Sequence, residues 1–332
     1  MTSTSTLSGE FIRQIQASSE KIKLAKSEMD KVIVGQEGMV DALLIALLCN
    51  GHVLIEGLPG LAKTLAVTTL AQVIDCEFKR IQFTPDLLPA DLIGTSVYNP
   101  KEGTFSIHKG PIFTHVLLAD EINRAPAKVQ SALLESMQEG QVTISGTSFP
   151  LAMPYFVLAT QNPIEHEGTY PLAEAQTDRF MMKIKIDYPT LGEEKEILQR
   201  MGTLGPLPKA KAILSKEDIL GARQVVSTIH IEDKVIDYIL SIVGATRYPK
   251  KYGLDLEDKL LFGASPRASL ALKMGAKAHA FLMGRPYATP DDVKQVAMGI
   301  LRHRLRRTYE SEAEGLSSDE IIETILLSLK VP

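Results

Sequence analysis

HVLIEGLPGLAKTLA, residues 52–66, runs from an apolar segment through glycines into Lys63 and Thr64. The phosphate-binding pattern is G-x-x-x-x-G-K-[ST], set between a strand and a helix. Gly57, Gly60, Lys63 and Thr64 fit it, with HVLIE before them as a strand and TLAVTTLAQVI after them as a helix. Ala62 departs from it, standing where the pattern has its last glycine. A methyl group is tolerable there if the backbone is helical, because only a positive φ demands glycine. Gly57, Leu58, Pro59, Gly60, Leu61 and Ala62 would turn backbone N–H groups toward phosphates. The helix opening at Lys63, Thr64 and Leu65 would add positive potential. Lys63 would contact the β- and γ-phosphates, and the Thr64 hydroxyl would hold Mg²⁺. On this stretch alone, a glycine-rich turn without a ligand stays open.

A second element narrows the choice. HVLLADE is an apolar strand ending in Asp120 and Glu121, about 55 residues beyond Lys63. In nucleotide hydrolases such an Asp supports Mg²⁺, and an adjacent Glu can polarise the attacking water. Two carboxylates can also be an ordinary solvated loop start. The order and spacing of both elements favour a nucleotide site.

Outward from this pair, short apolar runs alternate with helical patterns. HVLIE (52–56), FKRIQF (78–83), HVLLA (115–119), YFVLAT (155–160) and MMKIKI (181–186) are expected strands. Between them lie segments with apolar spacing near 3.6, such as KVQSALLESMQEG, which predicts a parallel sheet covered on both faces. Residues 94–110 and 140–152 each place two β-prone runs around a glycine-containing turn and are expected hairpins. After the Gly/Pro-rich MGTLGPLPKAK the pattern turns helical, with Ser215, Thr289 and Asp291 as expected caps. The reading is a short N-terminal segment (1–30) holding a disordered tail (1–10) and a helix (11–30), an α/β core (31–205) and a helical domain (206–332).

Composition sets limits. The 332 residues carry a net charge of −4, which gives no general attraction for nucleic acid or an anionic membrane. Cys49 and Cys76, the two cysteines, lack metal-ligand spacing and read as buried packing residues. MTSTSTLSGE has no apolar signal core, and ALLIALLCN falls far short of the roughly 20 residues of a membrane span, so a cytoplasmic protein is expected. The basic LRHRLRR (301–307) reads as a solvated helix end, and EHE (165–167) as loop.

GLPGLAKT, DEINRAPAKVQSALLESMQEG, ATQNP and LAEAQTDRF together resemble the MoxR group of AAA+ ATPases, from about residue 30 to the end. That group also carries alanine before the lysine. The resemblance implies a P-loop NTPase core with a parallel sheet, an all-helical C-terminal lid, ATP and Mg²⁺ as ligands, and a homo-oligomeric ring, most often a hexamer. By the same resemblance Val34, Gly35 and Gln36 line the adenine pocket, and Asn162 is the polar sensor that helps place water. Arg267 matches the second sensor arginine on the lid. Arg179 matches the arginine finger offered to a neighbouring subunit, with Arg124 as a second candidate. Asn162 could instead be a turn residue, and either arginine a plain surface ion pair. The two hairpins match inserts that point into the ring's pore, or are surface decoration. Implied outputs are chaperone-like remodelling, assembly or metal-insertion maturation, with partners bearing von Willebrand factor A domains. A nucleic-acid motor and a nucleotide-gated binding module with little turnover are the alternative classes.

Overall fold

The computed structural model describes residues 9–58, 60–61, 63–163, 169–202, 205 and 208–332. Pro59 and Ala62 of the phosphate loop lie outside them, as does the EHE stretch at 165–167. Gly9 and Glu10, expected to end a disordered tail, are instead the first turn of helix α1 (Gly9–Asp30).

Along the chain follow α2 (Glu37–Leu48), β1 (Val53–Gly57), α3 (Lys63–Val73), β2 (Phe78–Gln82) and α4 (Pro89–Ile93). Next come β3 (Gly94–Asn99), β4 (Thr104–Lys109), β5 (Val116–Asp120), α5 (Ala127–Glu139), β6 (Gln141–Ile144) and β7 (Thr147–Pro150). β8 (Phe156–Gln161), α6 (Glu174–Thr177), β9 (Met182–Ile186) and α7 (Leu191–Met201) complete this part. The chain forms two compact units. One is Ser27–Leu43 with Asn50–Lys216; the other joins the chain up to Lys26, Leu44–Cys49 and Glu217–Pro332. The division near residue 205 expected from sequence is linear, and these units are not. The reason is local: Ile213 and Leu214 donate backbone hydrogen bonds to Val73 O and hold their segment on the first unit. Arg223, in the second, donates to Leu47 O at 2.9 Å.

The first unit is built on a five-stranded parallel sheet in the order β2-β5-β8-β1-β9. All five expected strands form, each end within one residue of its expected place. β5 and β8, flanked on both sides, are buried on both faces except at their last residue, so they read as continuous apolar runs. β2 lies at the edge and is half exposed along its length, which admits Lys79, Arg80 and Gln82. Leu54, Leu117 and Val157 of the sheet form a core with Val129, Leu133 and Leu134 of α5. His52 stitches this core: its Nδ1 accepts from Val157 N at 3.1 Å, so Nε2 carries the proton that reaches Met137 O at 3.1 Å.

Both expected hairpins form, β3 with β4 and β6 with β7. Tyr98 and Phe105 face each other across the first, with ring centroids 5.1 Å apart. Lys109 Nζ sits 4.8 Å from the Phe113 ring centre and 5.5 Å from that of Phe149, which ties one hairpin to the other.

The second unit is mostly helical: α8 (Lys216–Thr228), α9 (Asp233–Arg247), α10 (Pro266–Leu282), α11 (Pro290–Leu301), α12 (Tyr309–Ala313) and α13 (Ser318–Ser328). Two short strand pairs, which the helical patterns did not indicate, join β10 (His230–Ile231) to β12 (Tyr287–Ala288) and β11 (Leu260–Phe262) to β13 (Arg306–Arg307). LRHRLRR therefore does not simply close a helix. α11 stops at Leu301, Arg306 and Arg307 enter β13, and Arg302 pairs with Asp319 at 3.2 Å. Thr289 caps α11 through Asp292, whose Oδ2 accepts from Thr289 N at 2.7 Å. The same buried carboxylate accepts from Arg285 at 2.5 and 2.9 Å and meets His279 Nδ1 at 2.5 Å. Burial alone would raise its pKa, but the hydrogen bonds from His279, Arg285 and Thr289 together hold it well below the ordinary aspartate value. Cys49 and Cys76, expected to be buried, are both only partly buried; loss of solvent around Cys49 still pushes its thiol up to about 12, which makes it unreactive. No helix among the described residues is long and apolar enough to cross a membrane.

Candidate active site

Ligands of open parallel sheets sit outside the carboxyl ends of the strands. Three central strands end there in the residues singled out from sequence: β1 in Gly57, β5 in Asp120 and β8 just before Asn162. The cavity they enclose measures about 410 Å³ and is lined by Gly60, Lys63, Thr64, Leu65, Arg80, Gln82, Asp120, Glu121 and Asn162.

Each lining group has a local cause. At Gly57 an added Cβ would stand 3.0 Å from Ile186 O on neighbouring β9, a tight approach that favours a residue without one at the start of the turn. Gly60 has φ +84°, a conformation that side chains rarely adopt. α3 begins at Lys63, which aims its first N–H groups at the cavity. Lys63 Nζ donates to Gly57 O at 2.6 Å, folding the amine back over the loop.

One hydroxyl reaches both Asp120 and Glu121. Thr160, fully buried on β8, donates to Asp120 Oδ1 at 2.5 Å and accepts from Glu121 N at 2.8 Å. Glu121 needs that anchor, since its φ of 55° and ψ of 52° are left-handed. Such a backbone costs a non-glycine residue about 1–2 kcal/mol. Its Oε2 accepts from Gln82 at 2.7 Å and pairs with Arg124 at 3.1 Å. Arg124, a candidate for contact across a subunit interface, thus pairs within its own chain. Asn162 is buried beside these groups at 7% exposure.

Val34, Gly35 and Gln36 line a second cavity of about 190 Å³ in the same unit, with Ile33, Val40, Glu196 and Arg200 around them. Gly35 and Gln36 both have positive φ, 65° and 77°, and the Gln36 amide donates to Asp187 O at 3.3 Å. Arg200 donates to Asp30 O and Lys31 O at 3.1 and 3.2 Å, holding α7 against the segment that enters the cavity. At the head of α7 the Thr190 N–H and hydroxyl hold Glu193 below its ordinary pKa.

Two expected site residues are not among those lining the first cavity. Arg179 is exposed after α6, with Nη1 on Leu134 O at 3.1 Å. Arg267 is exposed near the start of α10 in the second unit, capped by Ser265 Oγ at 3.1 Å. Three lining or anchoring residues escaped the sequence reading: Arg80, Gln82 and Thr160. Arg80 and Gln82 lie two apart on β2 and so share a face. That spacing of two polar groups in FKRIQF was the available signal.

The donor chemistry suits magnesium. Thr64 and Asp120 offer oxygen atoms, and among the described residues no cluster of three His, Cys, Asp or Glu forms a dedicated metal cage. Mg²⁺ bound with a nucleotide commonly takes only one or two protein oxygens beside phosphates and water.

A phosphate loop packed against paired carboxylates on a parallel sheet, in a chain with a helical second unit, defines a P-loop ATPase of the AAA+ type. The family described as ATPase family associated with various cellular activities (AAA) matches residues 52–182, and the AAA lid domain matches residues 256–325. Chaperone MoxR1 of Mycobacterium tuberculosis is 49% identical over 92% of this chain and 81% of its own. Protein MoxR of Paracoccus denitrificans is 31% identical over 93% and 95%. A crystal structure from Cytophaga hutchinsonii, of a protein provisionally described as an ATPase, superposes with a TM-score of 0.90 at 51% identity, over 96% of this chain and 97% of that one. The chain belongs to the MoxR family of AAA+ ATPases, as its motifs implied.

Proposed function

We propose that this ATPase binds ATP with Mg²⁺ at the cavity between β1, β5 and β8 and uses hydrolysis to remodel partner proteins. The observation that carries the first half is the convergence of Gly60, Lys63 and Thr64 with Asp120, Glu121 and Asn162 around one cavity. Lys63 holds the β- and γ-phosphates, Thr64 and Asp120 hold the metal, Glu121 orients and polarises water, and Asn162 helps place it. Bound there, Mg²⁺ would neutralise phosphate charge. The adenine would occupy the second cavity, against Val34, Gly35 and Gln36. Arg179, exposed and outside the phosphate cavity of its own chain, serves a neighbouring subunit in a homo-oligomeric ring, taken here as a hexamer. Arg267 on the lid reports nucleotide state. The core is taken as residues 31–205 and the lid as 206–332. The name of the Mycobacterium relative, a chaperone, supports chaperone-like remodelling, and the place of action is taken as the cytoplasm. Partners with von Willebrand factor A domains are the class the family resemblance favours.

The test separates two residues of one cavity. Lys63→Ala should lose ATP binding, because its charge is the main side-chain contact with the phosphates. Glu121→Gln should keep binding while turnover falls by roughly 10²-fold or more, the scale of a general base. Unchanged affinity in Lys63→Ala, or equal loss of binding in both, refutes the assignment.

A further inference from the structure

Asp120 is the carboxylate proposed to support magnesium, and in this structure its outer oxygen is engaged by a cation of the protein itself. Arg80 Nε and Nη2 both reach Asp120 Oδ2, at 3.1 and 2.5 Å. Oδ1 accepts the Thr160 hydroxyl, and Oδ2 is the oxygen on which the Arg80 cation sits. The two partners differ in freedom: the Arg80 side chain is 49% exposed and that of Asp120 only 13%. The carboxylate is thus the fixed member, and the guanidinium can swing away along the rim. Arg80 also touches Gln82 Oε1 at 3.3 Å and lines the same cavity as Lys63.

A guanidinium and a divalent ion on one oxygen compete for its lone pairs and repel each other. We infer that Arg80 is the resting counter-ion of Asp120 and leaves Oδ2 when magnesium enters with the nucleotide. The inference rests on the nucleotide reading above and adds a residue that sets the metal dependence of binding. While Arg80 stays paired, Asp120 is neutralised and presents little repulsion to phosphates arriving without metal. Arg80 also taxes the metal, which must displace it. Removing Arg80 reverses both effects. Metal-free nucleotide then meets an uncompensated carboxylate, and magnesium finds Oδ2 open. Both changes move one quantity, the ratio of nucleotide dissociation constants without and with magnesium. That ratio equals the coupling between metal and nucleotide, so either ligand reports it.

The experiment uses the full-length protein and a fluorescent, non-hydrolysable ATP analogue, titrated in EDTA and in excess Mg²⁺. Arg80→Ala and Arg80→Gln should raise the ratio roughly tenfold, the low end for a charge-assisted bond on a half-exposed side chain. Arg80→Lys, which keeps the charge and loses the planar fork, should fall between them and wild type. Paramagnetic resonance of Mn²⁺ added with the analogue should show less free ion for Arg80→Ala than for wild type. A ratio that stays constant or falls in both neutral variants overturns the inference, as does unchanged Mn²⁺ binding. Lys63→Ala separates the two levels of failure. If it binds the analogue as wild type does, the nucleotide reading itself fails. If binding depends on Lys63 and the ratio ignores Arg80, only the role of Arg80 falls.

Discussion

Replacing Thr160 with valine keeps the shape of a fully buried side chain and deletes two hydrogen bonds at once. One is the 2.5 Å bond to Asp120 Oδ1, and the other is the 2.8 Å bond from Glu121 N. A bond to a charged group contributes about 1.5–3 kcal/mol, and a buried N–H left without a partner costs about 1–3 kcal/mol. The left-handed backbone of Glu121 would relax once released and return part of its strain. The net loss is therefore set near 3 kcal/mol, a large share of the roughly 5–15 kcal/mol that holds a domain together. Thermal unfolding should fall by roughly 5–10 °C. The effect on rate should be larger than the effect on binding. Lys63 and the loop backbone do not depend on Thr160, so nucleotide affinity should persist. A carboxylate displaced by about 1 Å costs roughly 10²-fold in turnover. Thr160→Ser keeps the hydroxyl and loses only a methyl group, so it should retain most of the activity. The assay is steady-state phosphate release beside nucleotide titration and a melting curve for each variant. Equal turnover in the valine and serine variants would refute the claim that this hydroxyl positions the carboxylate pair.

Arg179→Ala should bind ATP normally and hydrolyse it poorly, since a finger supplied in trans is worth roughly 10³–10⁵ in rate. Mixing it with Lys63→Ala under verified subunit exchange should restore activity above either variant alone; no recovery removes Arg179 from the interface. Asp292 sets an acid limit on the helical unit. Its folded pKa lies below the ordinary value of 3.8, so its stabilisation is complete above that pH and is lost as pH falls toward the folded value. Asp292→Asn should cost about 3–5 kcal/mol at neutral pH, the scale for breaking a buried pair, and should flatten the acid limb of the stability curve. An unaltered limb would place the acid sensitivity elsewhere.

The residues legible in the sequence were those whose chemistry depends on near neighbours. GLPGLAKT encodes its own turn and helix start, and HVLLADE carries a buried strand and its two carboxylates within seven residues. The strands were legible for the same reason, because β5 and β8 are apolar on both faces without interruption. Arg80, Gln82 and Thr160 were not, since each acquires its partner from another strand. ATQNP gives no sign that its threonine is inward-facing beside Asp120. That follows from the pairing of β5 with β8 in the register Leu118↔Leu158 and Ala119↔Ala159.

FKRIQF likewise reads as a half-exposed strand with polar groups facing water. What redirects them is the crossover that lays β2 beside β5, with Gln82 opposite Asp120 and Arg80 opposite Leu118. Period-two geometry then puts both side chains on the face where Asp120 lies, at the carboxyl end of the sheet. An edge strand lets arginine and glutamine stand along its length without burying their chains on both faces. The edge position that made β2 look unremarkable is thus what allows it to carry charge to the site. Local sequence specifies the phosphate loop and the carboxylates, and sheet order supplies the cation and the amide that hold them.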